Sequence, residues 1–170
     1  MGCGRDIKKG YMNVDIADLA GVDVVCDLEV FPWPFKDNEF DEVYCSHILE
    51  HVKNLTRTLE EIHRICKPGA KIRILGPYFA GQGAYNDPTH TKFFTYRTFE
   101  YYRRGKYYST ANFITLRRKI FFFSTKRFMK SKFYSVPFDF FINSFPMIYQ
   151  RFFCWIFPAS EINYLLKVDK

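Results

Sequence analysis

The sequence predicts an α/β protein with a doubly wound, mainly parallel sheet, formed by one domain over residues 1–170. Two observations lead to this prediction. Before Pro77, short β-rich runs alternate with loops and one clear helix, and strands joined by such crossovers pair mainly in parallel. Beyond Pro77 the chain becomes rich in Phe and Tyr, which indicates an aromatic C-terminal cap on the same domain.

Four strands are expected before Pro77, and the first two end at or near an acidic residue. They are Tyr11–Ile16, Asp23–Leu28, Phe40–Cys45 and Lys71–Leu75. A helix between the last two begins at Asn54, carries an apolar face that includes Leu59 and Ile62, and ends at Lys67–Gly69, where a cation and a glycine suit a helix C-terminus.

For the second half of the sequence, we expect fewer and less regular elements of secondary structure. A helix start is expected near Thr95, a strand over Phe113–Phe123, a segment of helical spacing over Phe138–Phe157 and a closing strand over Glu161–Val168. No internal repeat or low-complexity linker separates these elements from the first half, so they belong to the same domain.

Composition excludes several classes of protein. The five cysteines show no CxxC pair, which argues against a zinc site and a disulfide framework. The first ten residues are not a signal peptide, and no uncharged run is long enough to cross a membrane. We therefore expect a reduced cytoplasmic protein, and its net charge of +7 permits an anionic partner.

A glycine turn and two acids form the most informative pattern. Gly2-Cys3-Gly4 allows a ligand to approach the backbone closely, and Asp15 and Asp27 follow at the ends of two strands. A carboxylate at that edge can accept hydrogen bonds from ribose hydroxyls. The third glycine of the dinucleotide fingerprint is replaced by Ile7, which disfavours a nicotinamide dehydrogenase.

Three stretches carry a family resemblance: GCGRDIKKGYMNVDI, DVVCDLEVFPWPFKDNEFDEVYCSHILEHV and LEEIHRICKPGAKIRILGPY. Together they resemble a type 11 methyltransferase of the class I S-adenosylmethionine-dependent superfamily. The segments AYNDPTHTKFFTYRTFEYY and YQRFFCWIFPASEINYLLKV resemble one subgroup. The resemblance implies a Rossmann-like sheet, S-adenosylmethionine as cofactor, residues 1–77 as the cofactor-binding core, and residues 78–170 as substrate loop, cap and closing strands.

The resemblance also implies roles for individual residues. The glycine turn would hold the methionine part of the cofactor, Asp15 with its neighbour Ile16 the ribose, and Asp27 with Leu28 the adenine. The end of the third predicted strand would line the transfer site. The implied cofactor-binding set is Gly2, Cys3, Gly4, Asp15, Ile16, Asp27, Leu28, Cys45, Ser46 and His47.

The chain departs from the family before the glycine turn. The family has a central apolar strand there, whereas this sequence starts at Met1. Without that strand the sheet has two facing edges that lack ladder partners. We expect marginal stability, self-association through those edges, or an upstream segment in the natural protein. The connection from Gly4 to Asp15 is also too short for a crossover helix.

The histidines have different expected roles. If a helix begins near His47, it shares a face with His51 at i, i+4 spacing, but no third ligand is evident and we predict no metal. His47 and His90 are the candidate catalytic residues, because a histidine can accept a proton near neutral pH. The family builds its acceptor site in the loop Tyr78–His90, so Tyr78, Asp87 and His90 are the expected acceptor contacts. His63 should be a solvated surface residue.

The aromatic and basic second half leaves several functions open. Large aromatic side chains mostly indicate core packing, which is the first interpretation. An amphiphilic or anionic acceptor comes second, and single-stranded nucleic acid third. The predicted activity is methyl transfer to a small-molecule or amphiphilic acceptor. The alternatives are a non-catalytic, methyltransferase-like basic binding module and a nucleic-acid methyltransferase, although the Asn/Asp-Pro-Pro-Tyr/Phe signature of amino-methylating DNA enzymes is absent.

Overall fold

The computed structural model describes residues 1–103, 109–123 and 132–170, without the side chains of residues 132–135. Its strands are β1 (Val14–Asp15), β2 (Val24–Val25), β3 (Phe40–Ser46), β4 (Cys66–Pro77), β5 (Phe113–Phe121) and β6 (Glu161–Val168). Its α-helices are α1 (Leu55–Ile65), α2 (Lys132–Ser144) and the single turn α3 (Pro146–Ile148). Short 3₁₀ turns cover Gln82–Ala84 and Thr98–Tyr102, and a π turn covers Tyr149–Phe153.

The strands form two sheets. The larger has the order β3-β4-β6-β5, in which β3 and β4 are parallel and β6 is antiparallel to both of its neighbours. Three of its four strands run in one direction, but only the β3-β4 pairing is parallel, so this sheet is mixed where the sequence predicts a mainly parallel one. The smaller sheet consists of β1 and β2 in parallel.

The first two strands are shorter than predicted. Tyr11–Met12 and Asp23 lie outside them, and Asp27 follows β2 by two residues. The reason is local: the Asn13 side chain accepts a hydrogen bond from the Lys8 N–H at 2.8 Å and donates to the Tyr11 carbonyl at 3.0 Å. These bonds hold the preceding residues in a loop instead of a ladder.

Helix α1 begins where the sequence predicts. Asn54 is its N-cap, and its side-chain oxygen accepts the Arg57 N–H at 3.1 Å. Leu59, Ile62 and Ile65 are fully buried and attach the helix to the core. The helix ends one residue before Cys66, and β4 begins there, so the predicted stop at Lys67–Gly69 lies within the strand.

In the second half of the chain, some predicted elements are confirmed and others are wrong. Strand β6 has the predicted bounds, and β5 ends two residues early. The helix start near Thr95 is replaced by the 3₁₀ turn. The helical segment over Phe138–Phe157 is broken, because Pro146 has no N–H to continue the hydrogen-bond ladder from α2.

A gap separates the two sheets at the edges of β1 and β3. Residues at the chain start touch both edges: the Met1 amino group donates to the Tyr44 carbonyl at 2.8 Å, and the Cys3 N–H donates to the Val14 carbonyl at 3.3 Å. A cavity of about 80 Å³ lies in this gap. This gap lies at the position where a central strand is expected from the family resemblance.

Two further features bear on the predicted surroundings of the protein. In the described part of the chain, no helix combines the length and apolar character that a membrane crossing requires. The basic residues Arg104, Lys106, Lys126, Arg127 and Lys130, on which the anionic-partner prediction partly rests, lie outside the described residues.

Candidate active site

A cleft of about 200 Å³ lies where β1 and β2 end, the edge at which parallel sheets bind ligands. It contains five of the predicted cofactor-binding residues, which come from three separate parts of the sequence: Gly2, Asp15, Ile16, Asp27 and Leu28. The turn after β3 supplies Ile48, His51 and Val52 to the same lining. The fold thus brings the glycine turn, both acids and a histidine together.

The glycine turn has a conformation that favours glycine at both positions. Gly2 has φ +61° and Gly4 has φ +51°. A Cβ atom on Gly2 would lie 2.7 Å from the Ile48 side chain, whereas a Cβ on Gly4 would meet nothing within 4 Å. Gly2 is therefore needed for packing, and Gly4 leaves open space for a bound group.

The two acids also hold turns. Asp15 accepts the Gly4 N–H through Oδ2 at 2.8 Å and the Ala17 N–H through Oδ1 at 3.1 Å, while Asp27 accepts the Glu29 N–H at 2.9 Å. A carboxylate offers about four lone-pair sites, so each acid keeps capacity for ligand hydroxyls. The turn-capping and ribose-binding interpretations are therefore compatible.

The end of β3 contributes less than the resemblance implies. Cys45 is buried, and burial raises the pKa of its thiol to about 11, so its side chain belongs to the core. Cys3 and Ser46 line the cavity between the sheets instead of the cleft. Within the part of the chain that the structure describes, the buried Ser46 Oγ has no hydrogen-bond partner, and a polar group bound beside it would satisfy that atom.

His47 is held between two glutamates. Its Nδ1 lies 3.2 Å from Glu50 Oε1, and its Nε2 lies 3.6 Å from Glu161 Oε1. The neighbouring carboxylates of Glu161 and Glu50 raise the pKa of His47 to about 9, which favours the protonated ring at neutral pH. This makes His47 a poor proton acceptor at neutral pH in this arrangement, and its catalytic role stays a prediction.

The expected helix at His47 is also absent from the structure described here. His47 has φ +53°, the left-handed region, and residues 47–54 form turns before α1 begins. His47 and His51 therefore do not share a helical face. Sequence spacing suggested this pair only on the condition that a helix began there.

His51 instead meets His90, which is 39 positions further along the chain. The centroids of their rings are 4.6 Å apart. The loop that carries His90 is attached to the turn after β3, because the N–H groups of Thr91 and Lys92 donate to the Glu50 carbonyl at 2.8 and 3.1 Å. No local spacing predicts this contact, since it depends on that attachment.

The remaining predicted acceptor residues are divided. Asp87 is exposed beside His90 and accepts two hydrogen bonds from Thr89, one from its N–H and one from its hydroxyl. These bonds lower the pKa of the Asp87 carboxyl. Tyr78 is 0% exposed and donates to Gln150 at 3.3 Å. The Tyr78 side chain is therefore part of the core, and the structure does not bring it to the acceptor.

His63 is not the solvated residue that the sequence predicts. It is half-buried, with its ring edge-on to Phe113 at 5.6 Å and its Nε2 3.3 Å from the Asp169 carbonyl. Burial lowers its pKa. It lies outside the cleft and provides a histidine against which the site histidines can be compared.

The aromatic segment exposes much of its apolar surface. The exposed large apolar side chains between residues 136 and 157 are Val136, Phe138, Phe140, Phe141, Phe145, Met147, Ile148, Phe152, Phe153, Trp155, Ile156 and Phe157. We call this surface the aromatic face. An apolar groove of about 340 Å³ lies within it. Core packing, the first interpretation of the aromatic second half, is confirmed for buried residues such as Phe94, Phe99 and Phe113 and is wrong for these exposed ones, and exposed apolar surface can mark interaction sites.

Comparison with known proteins identifies the first half of the chain. A family model described as a methyltransferase domain matches residues 2–74. The 2-phytyl-1,4-naphtoquinone methyltransferase of Nostoc punctiforme is 45% identical over 49 residues, 29% of this chain and 21% of that protein. The human mitochondrial arginine-hydroxylase NDUFAF5 is 36% identical over 104 residues, 50% of this chain and 29% of that protein. The chain thus spans less than a third of either relative.

Solved structures show the fold of the chain as a whole. A SAM dependent methyltransferase from Archaeoglobus fulgidus superposes with a TM-score of 0.51 at 19% identity, covering 91% of this chain and 74% of that one. The [4+2]-cyclase SpnF gives a TM-score of 0.52 at 14% identity, covering 86% and 55%. The chain has the Rossmann-like fold of the class I methyltransferases. Its residues 2–74 match the type 11 methyltransferase domain.

Proposed function

We propose that the chain binds S-adenosylmethionine in the cleft beside β1 and β2 and transfers its methyl group to an amphiphilic acceptor. One observation carries the proposal: the residues that line this cleft lie in the segment that matches the methyltransferase domain. The glycine turn and both acids come from different positions in that segment, and the fold places them around one space.

The residues present fit this cofactor. Gly2 brings the backbone to the wall of the cleft, and Asp15 and Asp27, which also line it, offer free acceptor capacity to ribose hydroxyls. Ser46 lines the separate cavity between the sheets, so it is not counted among these contacts. When bound, S-adenosylmethionine supplies an already activated methyl group, so the protein contributes mainly orientation and the exclusion of water.

His90 is the proposed acceptor-side residue. It lies against His51, which itself lines the cleft, and its loop is fixed to the turn after β3. The cationic His47 between Glu50 and Glu161 serves instead to hold that turn. Well-aligned reactions can gain about 7–11 kcal/mol in total from orientation. A rigidly held His90 that orients the acceptor can contribute several kcal/mol of that total.

The aromatic face supports an amphiphilic acceptor. Exposed Phe and Trp side chains around an apolar groove suit a lipid-like molecule or a lipid surface. The Nostoc relative is named for an acceptor with a phytyl chain, which agrees with this class. We propose a cytoplasmic protein that meets its acceptor at a lipid surface. A non-catalytic basic binding module and a nucleic-acid methyltransferase remain the alternatives.

Two measurements test the proposal in order. Isothermal titration with S-adenosylmethionine and its demethylated product should show one site per chain. Transfer of a labelled methyl group should then be measured with a prenylated naphthoquinone in vesicles and with a water-soluble quinone as the matched control. Transfer to the prenylated compound alone supports the amphiphilic class. Binding without transfer to any tested acceptor favours a binding module, and no cofactor binding refutes the function.

A further inference from the structure

Three metal-ligating side chains converge on the acceptor side of the cleft. A carboxylate oxygen of Glu50 and one ring nitrogen each of His51 and His90 lie within 4.8 Å of one another. Two imidazoles and a carboxylate are the donor set of many transition-metal sites. Ligands that share one such ion lie no more than about 4 Å apart, since each bond measures about 2.0–2.2 Å. If the three ligand atoms moved towards one another by less than about 1 Å, all of them could bind one ion.

The hydrogen bonds around both histidines leave one ring nitrogen free. His90 Nδ1 lies 3.2 Å from the Ala84 carbonyl, which can only accept, so that nitrogen carries the proton and Nε2 keeps its lone pair. Thr89 donates its hydroxyl proton to Asp87 and therefore accepts from His51 Nδ1 at 2.8 Å. His51 Nε2 is thus also a lone-pair donor, and outer partners of this kind orient the histidine ligands of metals.

Glu50 supplies an independent observation. Its side chain is 1% exposed, and while Oε1 contacts His47, the buried Oε2 has no hydrogen-bond partner among the described residues. A buried carboxylate oxygen without a partner is costly. A metal ion held by Glu50 and the two histidines would compensate this buried carboxylate.

We propose that Glu50, His51 and His90 bind a divalent first-row transition metal ion, such as Zn²⁺, Fe²⁺ or Co²⁺. Two imidazoles disfavour Mg²⁺ and Ca²⁺, which prefer oxygen ligands. Three protein ligands leave coordination positions open. Because His51 also lines the cofactor cleft, those positions are available to an acceptor oxygen, whose pKa a bound metal lowers. This last role rests on the proposed function, whereas metal binding does not.

Cobalt titration of chelator-treated protein tests the site. Co²⁺ should bind at one equivalent per chain with a visible absorption band, and without the near-ultraviolet band that thiolate ligation by the cysteines would add. Glu50→Gln and His90→Ala should each abolish the band. Thr89→Val removes only the outer hydrogen bond to His51 and should weaken binding about 10- to 100-fold. His63→Ala, which changes the histidine outside the cluster, should leave binding unchanged.

Several outcomes would overturn the proposal. They are the absence of stoichiometric Co²⁺ binding by the wild-type chain, equal binding by the His90→Ala variant, or equal weakening by His63→Ala. Circular dichroism checks that each variant is folded, and His90→Gln provides a replacement closer in size if the alanine variant unfolds. S-adenosylmethionine titration of the same samples separates the two proposals, because cofactor binding without Co²⁺ binding refutes only the metal site, and the reverse refutes only the cofactor site.

Discussion

The charged network between α1 and the loop before β3 provides the sharpest stability prediction. Glu61 is 8% exposed and accepts the Trp33 N–H at 3.0 Å and two hydrogen bonds from Arg64, through Nε at 3.0 Å and Nη2 at 2.8 Å. Arg64 also donates to the Phe35 carbonyl at 2.9 Å and to Asp37 at 2.6 Å. The network thus fixes the loop that follows Asp27.

Arg64→Ala should be strongly destabilising. It leaves the Glu61 carboxylate buried without its counter-charge and removes donors from two loop carbonyls. Breaking a fully buried ion pair costs about 3–5 kcal/mol, and the 27% exposure of the Arg64 side chain reduces this to about 2–4 kcal/mol. At about 2–4 °C per kcal/mol for a domain of this size, the melting temperature should fall by roughly 4–16 °C.

Arg57→Ala is the matched control. Arg57 lies on the same helix and pairs with Glu60 at 3.7 Å, but its side chain is 59% exposed. Such pairs contribute less than about 1 kcal/mol. Both variants should be compared with wild type by urea and thermal unfolding, which report the free energy of unfolding. Equal losses in the two variants would refute the buried-network reasoning.

The pH dependence gives a second check on the same network. Burial opposes ionisation of Glu61, but the hydrogen bonds from Arg64 and the Trp33 N–H outweigh it and lower its pKa. The pKa of Glu61 is therefore lower in the folded chain than in the unfolded chain, where it is about 4.3, so ionised Glu61 stabilises the protein above that pH. This stabilisation is lost as the pH falls through the folded pKa. The gap between wild type and Arg64→Ala should therefore narrow below about pH 4, and a constant gap would contradict the assignment.

Three further predictions concern the site, the sheet edges and the aromatic face. His90→Ala should reduce methyl transfer while leaving cofactor affinity nearly unchanged, and a loss of cofactor binding would show that its loop is structural. An apolar strand added before Met1 should raise the melting temperature and tighten cofactor binding, since each buried amide it pairs recovers about 1–3 kcal/mol. If the chain without the added strand is a stable monomer that binds the cofactor tightly, the inference that the edges of β1 and β3 need a partner strand is wrong. Trp155→Ser should weaken sedimentation with lipid vesicles, whereas Arg57→Ala should not.

The sequence predicted the regular parts of the fold well, because their signals are local. The apolar spacing and Asn54 cap of α1 located the helix, and alternation located β6 to the residue. The length of β1 was overestimated, because hydrogen bonds of the Asn13 side chain hold the preceding residues in a loop. The break at Pro146 was missed because helical spacing continues on both sides of it.

The candidate site was predictable only in part. The glycine turn and the acids that follow two strands gave the cleft, because strand ends meet at one sheet edge. The cluster of Glu50, His51 and His90 was not predictable, since it depends on backbone hydrogen bonds between two distant loops. The protonated state of His47 depends on Glu161, which β6 brings from the far end of the sequence.

The most direct test of the central claim is cofactor titration of Asp15→Asn and His63→Ala beside the wild-type chain. Asparagine keeps an acceptor for the turn but loses the charge, and charge-assisted hydrogen bonds contribute about 1.5–3 kcal/mol. We expect Asp15→Asn to weaken S-adenosylmethionine binding at least about tenfold, since 1.4 kcal/mol corresponds to a factor of ten, and His63→Ala to leave it nearly unchanged. Equal affinity losses in the two variants would contradict the placement of the cofactor in this cleft.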